Sequence, residues 1–175
     1  MSGARIMLAP LFAALVRHAI FAIALPWLIL YRTEDMEEMR FDAGYPAAGS
    51  VLIVLGAALY IRAFAERLRM AAIVTASAGT FELEEDARPI WSTGVHGWSR
   101  NPLQLGVFFI LTGECLAFES IALLVYAVLC WTGMTLYLVL VEEPALRRTL
   151  GDEYLRYCRQ VPRWFIPFRF RQPSW

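Results

Sequence analysis

Four long apolar runs, at residues 7–31, 47–64, 102–118 and 120–141, leave this chain few ways to fold. A segment of ~20 apolar residues is long enough to cross the hydrocarbon of a bilayer. Inside that layer each backbone N–H and C=O must be satisfied within the protein, so the runs are expected to be helices. Of the 175 residues 58% are hydrophobic and the mean hydropathy is +0.49, against ~45–50% apolar residues in a soluble domain. The expected fold class is therefore all-α: a polytopic membrane helical bundle of about four transmembrane helices with a C-terminal cytoplasmic interfacial helix. One integral-membrane domain is expected over 1–175. It divides into two spans in 1–64, a cytoplasmic connection at 65–101, a helical hairpin at 102–143 and a cytoplasmic tail at 144–175.

Local signals refine this plan. The first run is interrupted by Arg17 and His18, and Pro10 and Pro26 are expected to kink it. It lacks a convincing cleavage site and reads as a retained span. The second run is short, and Arg62 is expected to snorkel to the interface. Residues 62–76 suggest a separate interfacial helix. The third starts with Asn101 as N-cap and Pro102 at the first helical position. The few residues at 117–120 force an antiparallel hairpin. Gly113, Ala117, Ala122 and Gly133 are expected to bring its helices close. In the tail, Leu146, Leu150, Tyr154 and Tyr157 recur at helical spacing among charged residues. This predicts an amphipathic helix begun by Pro144 and ended by Pro162.

Arginine asymmetry sets the expected topology. Residues 32–46 carry two Arg and five acids, residues 62–100 carry five Arg, and the tail after Glu143 carries seven. Both termini and the 65–101 connection are thus expected in the cytoplasm, and the expected location is a bacterial inner membrane. The 16 basic and 16 acidic residues cancel, so net charge identifies no partner. The lipid bilayer and a lipophilic small-molecule acceptor are the expected partners; no nucleic acid is expected, and oligomeric state stays open. Cys115, Cys130 and Cys158 imply neither disulfide framework nor metal site. Trp27, Trp164 and Trp175 are expected in aromatic belts.

The polar residues at helix edges carry the functional signal, because polar groups at membrane depth are costly and usually functional. One set is Gly94-Val95-His96-Gly97-Trp98-Ser99-Arg100-Asn101-Pro102-Leu103-Gln104-Leu105-Gly106, opening the third run. The other is Glu142-Glu143, closing the fourth. A carboxylate pair can meet an ammonium or accept hydrogen bonds from a diol. Aromatic faces such as Trp98 and Tyr137 attract a cation. Glu114, well inside the third run, reads as a base, a substrate contact or a partner for Arg17 or His18, since a buried charge normally finds a partner.

The first set resembles the G-x-Y-x-x-x-R-H-P-x-Y-x-G signature of integral-membrane methyltransferases, the isoprenylcysteine carboxyl methyltransferases and phospholipid N-methyltransferases. Downstream, Glu142-Glu143, Leu146, Gly151, Tyr154, Tyr157, Val161-Pro162-Arg163 and Pro167 match the family's second block in order and spacing. The resemblance covers about residues 88–168. It implies S-adenosyl-L-methionine as cofactor, bound at the cytoplasmic side. By position, Arg100, Asn101 and Pro102 form the cofactor-facing turn. His96 and Gln104 match pocket tyrosines, and Leu105 and Gly106 follow them. Glu142 and Glu143 match the carboxylate pair, with Tyr154 and Arg163 from the second block completing the cofactor-binding set. Glu114 and Arg100 are the candidate catalytic residues. Asn101 stands where the family has His, and Gln104 where it has Tyr. Leu138, Val139 and Leu140 occupy the region where the isoprenylcysteine enzymes place a substrate-binding Arg. The implied activity is methyl transfer to a small lipophilic amine, thiol or carboxylate. A sterol-reductase-like enzyme using NADPH and a non-catalytic relative are the alternatives.

Overall fold

The computed structural model describes residues 2–34, 36, 44–77 and 94–164, with backbone alone for 2–10, 71 and 73–77. Arg88, Pro167, Trp175 and most acids of the 32–46 segment lie outside the described residues. Every regular element among those described is helical. In chain order they are α1 (Ser2–Ala19), a π-helical turn (Ile20–Ala24), α2 (Leu25–Thr33) and α3 (Pro46–Ser77). A 3₁₀ turn (Gly94–Gly97), α4 (Pro102–Ala117), α5 (Ile121–Tyr137), a second π turn (Leu138–Glu142) and α6 (Glu143–Gln160) follow.

Three stretches are long and apolar enough to cross a membrane: Leu11–Thr33, Pro46–Met70 and Ile121–Gln160. The fourth expected span, α4, is shorter. Its 16 residues reach ~24 Å at ~1.5 Å per residue. Large apolar side chains such as Phe12, Ile23, Val54, Leu129 and Leu140 are exposed on the bundle exterior. Water would penalise so broad an apolar surface, whereas lipid tails cover it without cost. The chain is an integral membrane protein.

The most extensive helix pair is α3 with α4. Its antiparallel seam is made of glycine against glycine. A Cβ on Gly56 would fall 2.7 Å from the Gly106 carbonyl oxygen, and one on Gly113 would fall 2.7 Å from that of Gly49. Small residues matter here because apolar side chains gain little by leaving lipid for protein, so close backbone contact supplies the attraction. This corrects the expected hairpin use of small residues: Gly113 serves α3, and a Cβ on Gly133 would meet nothing within 4 Å. Residues 62–76 also differ from expectation. They continue α3 without a break, since neither Pro nor Gly interrupts them.

Both π turns have the same cause. Proline clashes with the carbonyl four residues before it. Pro26 and Pro144 lie four residues after Ala22 and Leu140, the centres of the two π turns. Widening the helix there absorbs the clash without a break. One extra residue turns the chain beyond by ~100°. The α5–α6 segment therefore leaves the bundle with its two acids on new faces.

The far end of the bundle is tied by Glu119, whose carboxylate accepts the Gly44 N–H at 3.0 Å. There Ser120 caps α5 by accepting the Leu123 N–H. Trp27 is exposed at this end, stacked on Tyr31.

Candidate functional site

At the opposite end, α3, both ends of α6 and the segment after α6 converge on the loop before α4. Gly94 has φ +60°, and a Cβ there would collide with the Glu66 carboxylate. Only glycine fits this conformation and this gap. Glu66, buried on α3, accepts the Val95 N–H at 3.1 Å, contacts His96 Nδ1 at 3.2 Å and pairs with Arg62 at 3.0 Å. His96 is buried too. Burial lowers its pKa below the ordinary 6.5, and the hydrogen bond to Glu66 offsets only part of that. Its carbonyl accepts the Tyr157 hydroxyl proton at 2.8 Å.

The segment after α6 locks the same loop from the other side. The Arg100 N–H donates to the Pro162 carbonyl at 3.0 Å, and the Ser99 hydroxyl to the Arg163 carbonyl at 3.1 Å. Asn101 corrects a local expectation. It occupies the N-cap position, but its side chain makes no capping bond. Its Nδ2 donates instead to the Arg163 carbonyl at 3.3 Å. Pro102 then starts α4 as expected.

Glu143 is the electrostatic hub. It is 4% exposed. Arg163 donates Nε–H to Oε1 at 2.7 Å and Nη2–H to Oε2 at 2.9 Å. Arg100 pairs with it at 3.2 Å, and Arg147 adds a looser contact at 3.8 Å from the rim. A buried carboxylate survives only with such partners. Glu143 is thereby engaged by the protein itself. Glu142, one residue earlier and half-buried, sits within electrostatic reach of Arg67.

Two buried polar atoms here find no hydrogen-bond partner among the described residues: Arg100 Nε and Gln104 Oε1. They flank the start of α4, Arg100 two residues before its first residue and Gln104 in its first turn. One is a donor and the other an acceptor. Leaving either unpaired in the interior costs ~1–3 kcal/mol. A ligand carrying both an anionic group and a hydrogen-bond donor would answer both.

The other expected site residues have these surroundings. Leu105 is buried in α4, and Gly106 faces Gly56 and Tyr60 of α3. Tyr154 packs with Tyr157 and Val161, under Leu146, Leu150 and Cys158. Trp98 and Tyr137 are exposed. The Trp164 ring packs on Trp131, which packs on Phe108, at centroid distances of 4.4 and 4.3 Å. Glu114 lies twelve residues beyond Pro102, ~18 Å up the helix, and so does not share a centre with Arg100. Among the described residues it pairs with neither Arg17 nor His18, and His18 bonds Tyr60 instead. Glu66 and Arg67 escaped the sequence motifs. The available signal was charge on an apolar helix, at the end of the stripe Gly56, Tyr60, Ala63, Arg67. A cleft at the far end, lined by Trp27, Tyr31, Phe118 and Ser120, is remote from this cluster.

A family model for phospholipid methyltransferase matches residues 46–153. The chain belongs to the phospholipid methyltransferase family. The match takes in α3 and the glycine seam, well upstream of the motif at residue 94. Protein-S-isoprenylcysteine O-methyltransferase of Mus musculus is 28% identical over 123 residues, which is 67% of this chain and 43% of the mouse protein. The alignment thus spans under half of that curated relative. No solved structure matches the chain.

Proposed function

We propose that this family member is an integral-membrane methyltransferase that takes S-adenosyl-L-methionine at the Arg100–Glu142 end of the bundle and methylates a small lipophilic acceptor: a lipid amine, thiol or carboxylate. One observation carries the reading. Arg100 and Glu143 meet at 3.2 Å, and Arg100 Nε and Gln104 Oε1 are buried without a hydrogen-bond partner among the described residues. The mouse relative's name supports a methyltransferase acting on a lipid-modified substrate.

When bound, S-adenosylmethionine supplies an activated methyl group on a sulfonium centre. The protein's part is to hold and orient. Arg100 Nε is placed to donate to a carboxylate, and Gln104 Oε1 to accept from an ammonium or a hydroxyl. Glu142 supplies the negative charge for cationic groups. Glu143 fixes Arg100 and Arg163 rather than touching the ligand, and His96, Asn101, Pro102 and Tyr154 shape the turn. Alignment and exclusion of water supply much of the acceleration in such a displacement. The site end, both termini and the 65–101 connection face the cytoplasm in this reading, and a bacterial inner membrane is the proposed location.

Thermal stabilisation of the detergent-purified chain tests this, because a ligand that binds only the folded state must raise stability. S-adenosylhomocysteine is expected to raise Tm and NADPH to leave it unchanged. Arg100→Lys and Gln104→Leu should each weaken S-adenosylhomocysteine binding about tenfold or more. Stabilisation by NADPH alone would favour a reductase, and stabilisation by neither a non-catalytic protein.

A further inference from the structure

The imidazole of His96, in the 3₁₀ turn Gly94–Gly97, is fixed from two sides. From α3, the Glu66 carboxylate meets its Nδ1 at 3.2 Å through Oε2, the same oxygen that accepts the Val95 N–H at 3.1 Å. Arg62 holds the other oxygen, Oε1, at 3.0 Å. From α6, the Tyr157 hydroxyl donates to the His96 carbonyl at 2.8 Å. Gly94, where a Cβ would collide with Glu66, lets the turn come this close to α3. The arrangement stands beside Arg100. Tyr157 adjoins Cys158, whose Sγ accepts from Arg100 Nη1 at 2.8 Å. His96 and Arg100, four positions apart in the loop, are thus tied to consecutive residues of α6.

This pairing sets the chemistry of the ring. A carboxylate can only accept, so Nδ1 carries the proton of the neutral imidazole and the lone pair lies on Nε2. Among the described residues no hydrogen bond engages Nε2. A carboxylate behind an imidazole holds the tautomer and stabilises the imidazolium once a proton has been taken up. Burial keeps the ring's pKa below the ordinary 6.5; the bond to Glu66 raises it in part, and the charge of Arg67 on α3 lowers it again. The ring is therefore uncharged at neutral pH and able to accept. Glu114 cannot serve instead, being ~18 Å along α4 from its start.

We propose that His96, oriented by Glu66, is the general base that takes the proton from the attacking atom of the acceptor, and that the acceptor is accordingly a lipid amine or thiol. That a methyl acceptor stands there rests on the methyltransferase reading above. Nε2 accepts the proton of an ammonium N–H or a thiol S–H. The electron pair left on nitrogen or sulfur forms the new bond to the methyl carbon as the methyl–sulfonium bond breaks, its pair going to sulfur to leave a neutral thioether. The imidazolium then returns its proton to water. A carboxylate acceptor, already ionised, needs no such base. Glu66 is a positioning residue, touching the imidazole and not the acceptor.

The test uses the full chain purified in a neutral maltoside, methyl-labelled S-adenosylmethionine, and three probes: dodecylamine, dodecanethiol and dodecanoate. The wild type is expected to label the amine or the thiol but not dodecanoate, with kcat/KM level above pH 6.5 and falling below it. His96→Gln should lose about a hundredfold or more in kcat at pH 7, while S-adenosylhomocysteine still raises Tm. Its residual rate should climb about tenfold per pH unit between about pH 6 and 9, because only probe that has lost its proton unaided then reacts. A merely structural role would lower the rate by one factor at every pH. Glu66→Gln should lower kcat with KM unchanged and move the acid limb to lower pH, since Glu66 raises the imidazole's pKa; it decides the matter if His96→Gln does not fold. Label on the amine or on the thiol chooses between the two acceptors. Label on dodecanoate alone, pH profiles parallel to wild type in both variants, or loss of the S-adenosylhomocysteine shift in His96→Gln overturns the proposal. Parallel profiles with label still transferred remove the base alone; a wild type that labels no probe and gains no Tm from S-adenosylhomocysteine removes the methyltransferase reading itself.

Discussion

Arg163 lays its guanidinium fork across both oxygens of Glu143, at 2.7 and 2.9 Å, joining the segment after α6 to the start of that same helix. Arg100 shares the carboxylate from the opposite side. Removing the charge strands two cations at a largely buried place. Glu143→Gln is therefore expected to lower unfolding free energy by ~3–5 kcal/mol. Arg163→Lys should cost ~1 kcal/mol, because an ammonium cannot span both oxygens. Chemical denaturation in mixed micelles measures both. A Glu143→Gln protein as stable as wild type would show that the hub is not structural.

A pH effect follows from His96. Burial holds its folded-state pKa below the unfolded 6.5. As pH falls through 6.5, the unfolded chain takes up a proton that the folded chain resists, so stability drops. Above 6.5 the contribution is complete. Tm is expected to decline on acidification below pH 6.5, and His96→Gln should flatten that part of the profile. An unchanged profile in the variant would assign the acid sensitivity to another group.

The glycine seam makes opposite predictions for two small residues. Gly106→Val inserts bulk where a Cβ already lies 2.9 Å from the Gly56 carbonyl oxygen, and overpacking of this kind costs ~1–3 kcal/mol or more. Gly133→Ala adds a methyl to open space and should stabilise α5 by ~0.5–1 kcal/mol in helix propensity. If both variants lose stability equally, α4 pairs with α5 and not with α3.

Gly151 lies inside α6 at φ +56°, ψ −132° and splits it in two. No atom would touch a Cβ there, so Gly151→Ala isolates the backbone term, expected at ~1–3 kcal/mol. The cost should appear as lost Tm with the Glu143 end of the helix still formed.

The apolar runs announced the helices, and Pro102 and Ser120 marked two starts closely, because those signals are local. The meeting of Arg100 with the Glu142-Glu143 pair was legible through the spacing of two motifs. Partner choice was not. Nothing in sequence distance tells that Gly113 touches Gly49, since close approach depends on which helices become neighbours. Glu66 was hidden for a related reason: its role requires Gly94 and His96, 28 and 30 residues away, to fold back onto α3. That Glu143 rather than Glu142 meets Arg100 and Arg163 depends on the π turn before Pro144, which periodicity at 3.6 residues overlooks.

That turn assigns the two neighbouring acids by counting alone. Ahead of Glu142 its residues, Leu138 to Val141, are all apolar, and what the site depends on is their number. Dropping one would swing everything beyond it by roughly a quarter-circle and carry Glu143 away from Arg100 and Arg163. The length of this stretch is the setting that must not slip.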